Sequence, residues 1–177
     1  MSMTLHQGVL HKYTNPVFIE TGSYLGGGIE AASAESAFQE IYSIEIDPKY
    51  YTHCQNYAGC RDKRVVLILG DSSVELPKLL AKIKQRCTFW LDAHFTGEVL
   101  PEGVVNCPAL KELEAIKQHP IKNHTIMIDD RFTFGTPAFD GIEETQLHAK
   151  LREINPNYRF VYEDGAFKNS VIVAVLP

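Results

Sequence analysis

Acidic side chains follow apolar segments of this 177-residue chain. Asp92 comes directly after one apolar run, and Asp129 and Asp130 come directly after another. In an open sheet of parallel strands, ligands bind outside the carboxyl ends of the strands, so acids at such ends are candidates for a binding site. His94 lies two residues after Asp92, and an extended backbone would point both side chains to the same side. This spacing suits a base beside a metal ion.

A glycine-rich turn is the second candidate for chemistry. The apolar run that begins at Val17 continues as Glu20-Thr21-Gly22-Ser23-Tyr24-Leu25-Gly26-Gly27-Gly28. Pro16 disfavours a helix before it, the β-branched and aromatic residues favour a strand, and the glycines let the backbone turn sharply and approach a ligand. We predict strand, turn and helix, although the spacing differs from the G-x-G-x-x-G of dinucleotide sites. The alternative is a flexible turn that binds nothing.

Strand-like and helix-like segments alternate along the rest of the chain. After the first strand, the pattern predicts strands at 41–46, 65–69, 87–91 and 125–128, helices at 29–38, 49–57, 74–85, 109–118 and 139–154, and two final strands at 158–163 and 170–176. The turn that contains Asp164-Gly165 should join the last two as an antiparallel hairpin. Such alternation requires a mostly parallel sheet with helices on both faces. We therefore predict an α/β fold with seven strands.

Composition limits the classes of protein. The length and the 45% of hydrophobic residues predict a single domain over residues 1–177, with residues 1–15 as a short N-terminal extension. The net charge of -5 argues against a nucleic-acid partner. We expect no membrane partner and a cytoplasmic location, because there is neither an apolar stretch of about 20 residues nor a signal-peptide pattern. The four cysteines lack C-x-x-C spacing and are expected to be reduced thiols.

Several motifs resemble class I S-adenosylmethionine-dependent methyltransferases, and the resemblance spans nearly the whole chain from Val17. The spacing Glu20-x-Gly22-x-x-x-Gly26 resembles the first motif of that class. The run at 43–48 (Ser-Ile-Glu-Ile-Asp-Pro) looks like the corresponding segment of catechol and caffeoyl-CoA O-methyltransferases. An acid after the fourth strand and a pair after the fifth match the metal pattern of divalent-cation-dependent O-methyltransferases, including the macrocin type. The resemblance implies a Rossmann-like three-layer sandwich.

The resemblance also implies S-adenosylmethionine as the cofactor. Glu45 would accept hydrogen bonds from the ribose hydroxyls, Ile46 would flank adenine, and Asp71 and Ser72 would meet the adenine ring. The alternative is that Glu45 and Asp47 begin a helix, and that Asp71 or Ser72 is a helix cap. The full predicted cofactor set is Glu20, Gly22, Ser23, Tyr24, Gly26, Glu45, Ile46, Asp71, Ser72 and Asp92.

A metal site follows from the sheet order that the resemblance implies. The strands that end at Asp92 and at Asp129-Asp130 would be neighbours about 4.8 Å apart, and their carboxylates would repel one another without a cation. Oxygen ligands favour magnesium, with calcium or manganese as alternatives, over zinc. His94 is the predicted base, with Asp92 beside it, although the resembled enzymes have Lys or Asp in this neighbourhood. The alternatives are helix-capping or solvent-facing acids and a structural histidine.

The expected function is divalent-metal-assisted transfer of a methyl group from S-adenosylmethionine to a hydroxyl oxygen of a small-molecule acceptor. Phe95, Phe132 and Phe134 would form apolar walls for that acceptor, and a homodimer is a candidate assembly. Two alternatives stay open at this point. One is a non-catalytic nucleotide- or metabolite-binding module, and the other is a metal-dependent hydrolase that uses the same carboxylates.

Overall fold

The computed structural model describes residue 5, residues 7–94 and residues 105–177. Its strands are β1 (Val17–Thr21), β2 (Glu40–Glu45), β3 (Val65–Leu69), β4 (Cys87–Leu91), β5 (Thr125–Ile128), β6 (Arg159–Glu163) and β7 (Val171–Val175). Its α-helices are α1 (Gln7–Leu10), α2 (Gly27–Ser33), α3 (Pro48–Asn56), α4 (Ser72–Leu80), α5 (Ala109–Gln118) and α6 (Glu144–Ile154). Among these residues, no helix has both the length and the apolar character needed to cross a bilayer.

All seven strands form one sheet in the order β3-β2-β1-β4-β5-β7-β6. The first five strands are parallel, while β7 pairs antiparallel with both β5 and β6. Thr21 pairs with Ile44 and Leu91, and Leu91 pairs with Ile128, so the carboxyl ends of β1, β2, β4 and β5 are level at one edge. The predicted mixed sheet with an antiparallel C-terminal hairpin is confirmed.

Helices cover both faces of the sheet because strand side chains alternate in direction. Ile19 and Phe89 point into a core with apolar residues of α4, α5 and α6. Phe18 and Trp90 point into a second core with apolar residues of α1, α2 and α3. The central strands β1, β4 and β5 are buried on both sides, whereas β3 and β6 at the two edges of the sheet are partly exposed. The result is the predicted three-layer sandwich.

Some predicted helix boundaries were wrong. Helix α2 ends at Ser33 rather than at Phe38, and the Arg64 guanidinium donates to the backbone carbonyls of both residues and so holds the chain that leaves the helix. Helix α4 covers residues 72–80 instead of 74–85. Helix α6 begins at Glu144 instead of Phe139, since Gly141 has a left-handed backbone and the Glu143 N–H donates to Gln146 Oε1 to start the helix.

Candidate functional site

The glycine turn between β1 and α2 is fixed by backbone geometry. Gly22 (φ +86°), Tyr24 (φ +46°) and Gly26 (φ +84°) all adopt left-handed conformations. A Cβ on Gly22 would lie 2.6 Å from the backbone carbonyl oxygen of Asp92, so the turn passes directly against the end of β4. Only glycine allows this close approach, because the conflicting atom belongs to the backbone and cannot rotate away. Gly22 is therefore required by the fold itself as well as being a predicted cofactor residue.

Two predicted cofactor residues lie beneath this turn. Glu20 is almost fully buried and accepts a hydrogen bond from Ser43 Oγ at 2.5 Å, and Ser43 Oγ lies 2.6 Å from Ser23 Oγ. A Cβ on Gly28 would lie only 1.8 Å from Glu20 Oε1, so this glycine makes room for the acid. Burial raises the pKa of Glu20 well above its usual range, despite the bond from Ser43. The series of hydrogen bonds from Glu20 through Ser43 to Ser23 supports the turn. Direct contact of Glu20 or Ser23 with a cofactor stays a prediction.

Glu45, at the end of β2, lies beside the turn. Its carboxylate accepts hydrogen bonds from the backbone N–H groups of Tyr24 (2.9 Å) and Asp47 (2.8 Å), and these two bonds fix its orientation. Ile46 follows it in a half-buried position, and the exposed Tyr24 ring packs against Tyr50 with centroids 4.7 Å apart. Each carboxylate oxygen has a second lone pair, so Glu45 can still accept hydrogen bonds from a ligand.

Helix caps account for two other acids. Asp47 accepts from the backbone N–H of Lys49 at the start of α3, and Asp71 accepts from the backbone N–H of Ser73 at the start of α4. Both side chains thus satisfy helix N-terminal donors, the alternative that the sequence left open for them. Ser72 is buried at the first turn of α4. A direct role for Asp71 or Ser72 in binding adenine stays a prediction.

Glu112 on α5 is a buried acid that the sequence reasoning missed. Burial raises its pKa to about 7, although the nearby hydroxyls of Ser72 and Thr21 lower it, and the charges of Asp71 and Asp92 raise it further. Within the described part of the chain, its Oε1 atom has no hydrogen-bond partner. A signal for it was present, because Glu112 occupies a place in the buried stripe of α5, whose other members are Ala109, Leu113 and Ile116.

The ends of β4 and β5 bring together three possible metal ligands. His94 Nε2 lies 2.9 Å from Asp130 Oδ2, and His94 Nδ1 lies 3.5 Å from Asp92 Oδ1. One ligand atom from each of the three residues lies within 4.8 Å of the others. Burial alone would lower the pKa of His94, but its interactions with Asp130 and Asp92 outweigh burial and raise that pKa to about 10. In the metal-free protein the imidazole therefore carries a proton at neutral pH.

Asp129 lies outside that three-residue group, which differs from the predicted ligand trio of Asp92, Asp129 and Asp130. The reason is local backbone geometry: Asp130 adopts a left-handed conformation (φ +58°), which turns the chain at the end of β5. Asp129 is only 2% exposed, and among the described residues neither carboxylate oxygen has a hydrogen-bond partner. Burial, with repulsion from Asp92 and Asp130, raises the pKa of Asp129 to about 8, although the backbone N–H of Asp130 and the charge of His94 lower it. A ligand role for Asp129 stays a prediction.

The phenylalanines predicted to line the acceptor site differ in exposure and packing. Phe132 is exposed and meets Phe167 edge-on, with ring centroids 4.8 Å apart. Phe134 instead packs against Phe139, with centroids 4.6 Å apart, at the margin of one core. Phe95 lies outside the described residues. The contact of Phe167 with Phe132 was not predicted, because the two residues are far apart along the chain. The pairing of β7 with β5 and β6 brings them together.

Comparison with known proteins identifies solved structures of similar fold. No protein-family model and no curated protein matches the sequence. A Staphylococcus aureus protein assigned as a caffeoyl-CoA O-methyltransferase is similar, with a TM-score of 0.61 and 12% identity over 97% of this chain and 80% of that one. The SAH-bound methyltransferase PaMTH1 of Podospora anserina has a TM-score of 0.60 and 14% identity over 97% and 76%. Spermidine synthase from Thermotoga maritima has a TM-score of 0.60 and 13% identity over 97% and 55%.

The chain therefore has the fold of class I S-adenosylmethionine-dependent methyltransferases, and the resemblance noted in the sequence is confirmed at the level of the fold. A synthase shares this fold with the methyltransferases. The reaction must accordingly be argued from the site, because one fold supports several chemistries.

Proposed function

We propose that this protein binds S-adenosylmethionine at the glycine turn and transfers its methyl group to a hydroxyl oxygen of a small acceptor, with help from a divalent cation. The observation that supports this most is the convergence of Asp92, His94 and Asp130 at the sheet edge where the glycine turn lies. A turn that only connected two elements would have no need of acids and an imidazole gathered at the neighbouring strand ends.

The residues around the turn fit the cofactor. Gly22 and Gly26 let the turn adopt its left-handed backbone, and Glu45 is held beside it by two backbone N–H groups with lone pairs to spare. Charge-assisted hydrogen bonds from ribose hydroxyls to a carboxylate oriented in this way would be strong and directional. Bound S-adenosylmethionine would supply an electrophilic methyl group. The protein would contribute orientation, which accounts for a large part of the acceleration in reactions between two bound groups.

The strand ends fit a divalent cation. Asp129 has two buried oxygens without hydrogen bonds from the described residues, and it lies beside Asp92 and Asp130. Three acids gathered in this way repel one another, and His94 supplies only a single positive charge to them. Asp92, His94 and Asp130 would hold the ion, which would make the acceptor hydroxyl more acidic. His94 carries a proton in the metal-free protein, and a bound ion would displace it. A His94 that holds the ion could not also be the predicted base, so the acidified hydroxyl would release its proton to water.

Calorimetry with S-adenosylhomocysteine, with and without manganese or magnesium, tests this proposal. We expect binding by the wild type, weaker binding by Glu45→Ala, and unchanged binding by Asp130→Asn in the absence of metal. Asp130→Asn should lose cation binding and methyl transfer to catechol or sugar hydroxyls.

The possible results separate the alternatives. Cofactor binding without any cation effect would favour the non-catalytic module, and cation binding without cofactor binding would favour the hydrolase. Absence of S-adenosylhomocysteine binding would refute the proposed function.

A further inference from the structure

We propose that this centre selects a first-row transition-metal ion over magnesium, because the imidazole nitrogen of His94 serves as a ligand. This inference rests on the proposed function, since it concerns the cation of that same site. The sequence pattern alone predicts three carboxylates, and hence an all-oxygen site. In the structure, the residues whose ligand atoms lie together are Asp92, His94 and Asp130, so His94 takes the place of Asp129.

The distances suit a mixed nitrogen and oxygen site. His94 Nε2 and Asp130 Oδ2 are 2.9 Å apart. In the metal-free protein this contact is an ion pair, because His94 carries a proton. Adjacent ligands of an ion with bonds of roughly 2.1 Å at right angles are about 3 Å apart, so an ion that displaced this proton could bind both atoms at nearly their present separation. Asp92 Oδ1 lies 3.5 Å from the other nitrogen of the same ring. The two ring nitrogens point in different directions, so Asp92 would have to turn from Nδ1 toward Nε2 to bind the same ion, and one ligand atom of each residue lies within 4.8 Å of the others.

The surroundings disfavour magnesium for a second reason. Magnesium loses its water ligands reluctantly and usually keeps several of them, so it needs an open and wet site. The side chains of Asp92, His94 and Asp130 are only 18%, 15% and 8% exposed. Imidazole ligands favour zinc, cobalt and similar ions, which also accept lower coordination numbers. The ligand type and the burial thus point to the same class of ion.

A further buried acid favours a divalent ion over the single positive charge that protonated His94 supplies. Asp129 is only 2% exposed, and neither of its side-chain oxygens has a hydrogen-bond partner within the described ranges. It lies close enough to Asp92 and Asp130 for their charges to act on it. A cation held by the three-residue group would compensate this neighbouring carboxylate without needing it as a ligand.

Metal binding to the chelator-treated, otherwise intact protein tests the inference. Magnesium, manganese, cobalt and zinc are titrated separately into the wild type, His94→Asp and a control, His53→Asp. His53 is an exposed histidine that stacks on Tyr57, so the control reports binding by surface histidines. We expect cobalt and zinc to bind the wild type more tightly than magnesium by on the order of tenfold or more. His94→Asp should lower the zinc-to-magnesium affinity ratio by a similar factor, whereas His53→Asp should leave it unchanged.

Two further measurements keep the result interpretable. Melting curves establish that each variant is folded, and His94→Asn, a neutral substitution, replaces His94→Asp if the extra acid prevents folding. His94→Asn should also bind cobalt and zinc more weakly than the wild type does, and it should lose the visible absorption of bound cobalt. S-adenosylhomocysteine affinity is measured on the same samples, so a failure of cofactor binding is seen separately from a failure of metal selectivity.

An unchanged affinity ratio in folded His94 variants would overturn the inference while leaving the methyltransferase proposal intact. Equal affinity of the wild type for magnesium, cobalt and zinc would overturn it too. Absence of binding by any of the four ions would overturn both the inference and the role of a cation in the proposed function.

Discussion

Replacement of Glu112 by glutamine tests whether a buried acid beneath the site destabilises the fold. Burial raises the pKa of this carboxyl from 4.5 to about 7, partly opposed by the hydroxyls of Ser72 and Thr21. An acid with a raised pKa in the folded state holds its proton more tightly when folded than when unfolded. The wild type should therefore lose stability as pH rises from the unfolded pKa of 4.5 to the folded pKa of about 7, and change little from this source above that.

The size of the effect follows from the same values. A rise from 4.5 to about 7 corresponds to about 3 kcal/mol of unfolding free energy, because each tenfold change in proton affinity is worth about 1.4 kcal/mol. Glu112→Gln cannot ionise, so the difference in stability between variant and wild type should move in favour of the variant by about 3 kcal/mol between pH 4.5 and pH 8. Urea unfolding at both pH values, followed by circular dichroism, measures this change.

A matched control lies on the same helix. Glu114 pairs with Lys150, and this contact lowers its pKa, so Glu114→Gln should become relatively less favourable as pH rises. The two substitutions have the same chemistry and opposite expected signs. If Glu112→Gln differed from the wild type by the same amount at both pH values, Glu112 would titrate normally in the folded protein and the reasoning would be wrong.

Three other predictions concern the turn and the strand ends. Glu45→Gln should weaken S-adenosylhomocysteine binding by roughly 1.5 to 3 kcal/mol in calorimetry because the charge-assisted bonds are lost, and it should also lower the melting temperature because its amide nitrogen would face one of the two backbone N–H donors; unchanged affinity would remove Glu45 from the site. Gly22→Ala should lower the melting temperature even without cofactor, since its Cβ would meet the carbonyl of Asp92 at 2.6 Å; normal stability would mean that the turn can relax. Asp129→Asn should stabilise the metal-free protein at pH 9, by about 1 to 3 kcal/mol in urea unfolding, because it removes an unpaired buried charge; a loss of stability would show that the carboxylate has a favourable partner.

The strands were the most predictable elements, because each lies between clear signals. The runs Val65–Leu69, Cys87–Leu91 and Thr125–Ile128 were predicted with the residues that the structure gives them. Each is a continuous apolar run that turn residues or acids follow. Cys87–Leu91 and Thr125–Ile128 are buried on both faces, whereas Val65–Leu69, at an edge of the sheet, is partly exposed. Helix ends were harder to predict because they depend on contacts between distant residues. The end of α2 is an example, since Arg64, about thirty residues later, binds the carbonyl of Ser33 at 2.5 Å.

The site was predictable in its parts but not in its final arrangement. An acid after an apolar run can be read from sequence, and so can its place at the carboxyl edge of the sheet. Which acid meets His94 depends on the left-handed backbone of Asp130, for which the Asp-Asp pair gives no signal. Glu112 lies in the apolar stripe of α5, and this position indicates burial. The other charged residues of α5 made it look like one more surface acid.

Burial of acids at one edge of the sheet is itself an argument about function. Glu20, Glu112 and Asp129 each have a pKa raised mainly by burial, and no described lysine or arginine is among the groups that act on them. A domain that needed only to fold would be more stable with neutral residues at these places. Proteins tolerate such local costs where binding or catalysis requires them, because a ligand can return the stability that the empty site lacks. A cation at Asp92, His94 and Asp130 would do this for Asp129 through its charge. Cation-induced stabilisation that is smaller in Asp129→Asn than in the wild type would support this account, whereas equal stabilisation of both proteins would show that the cation does not compensate Asp129.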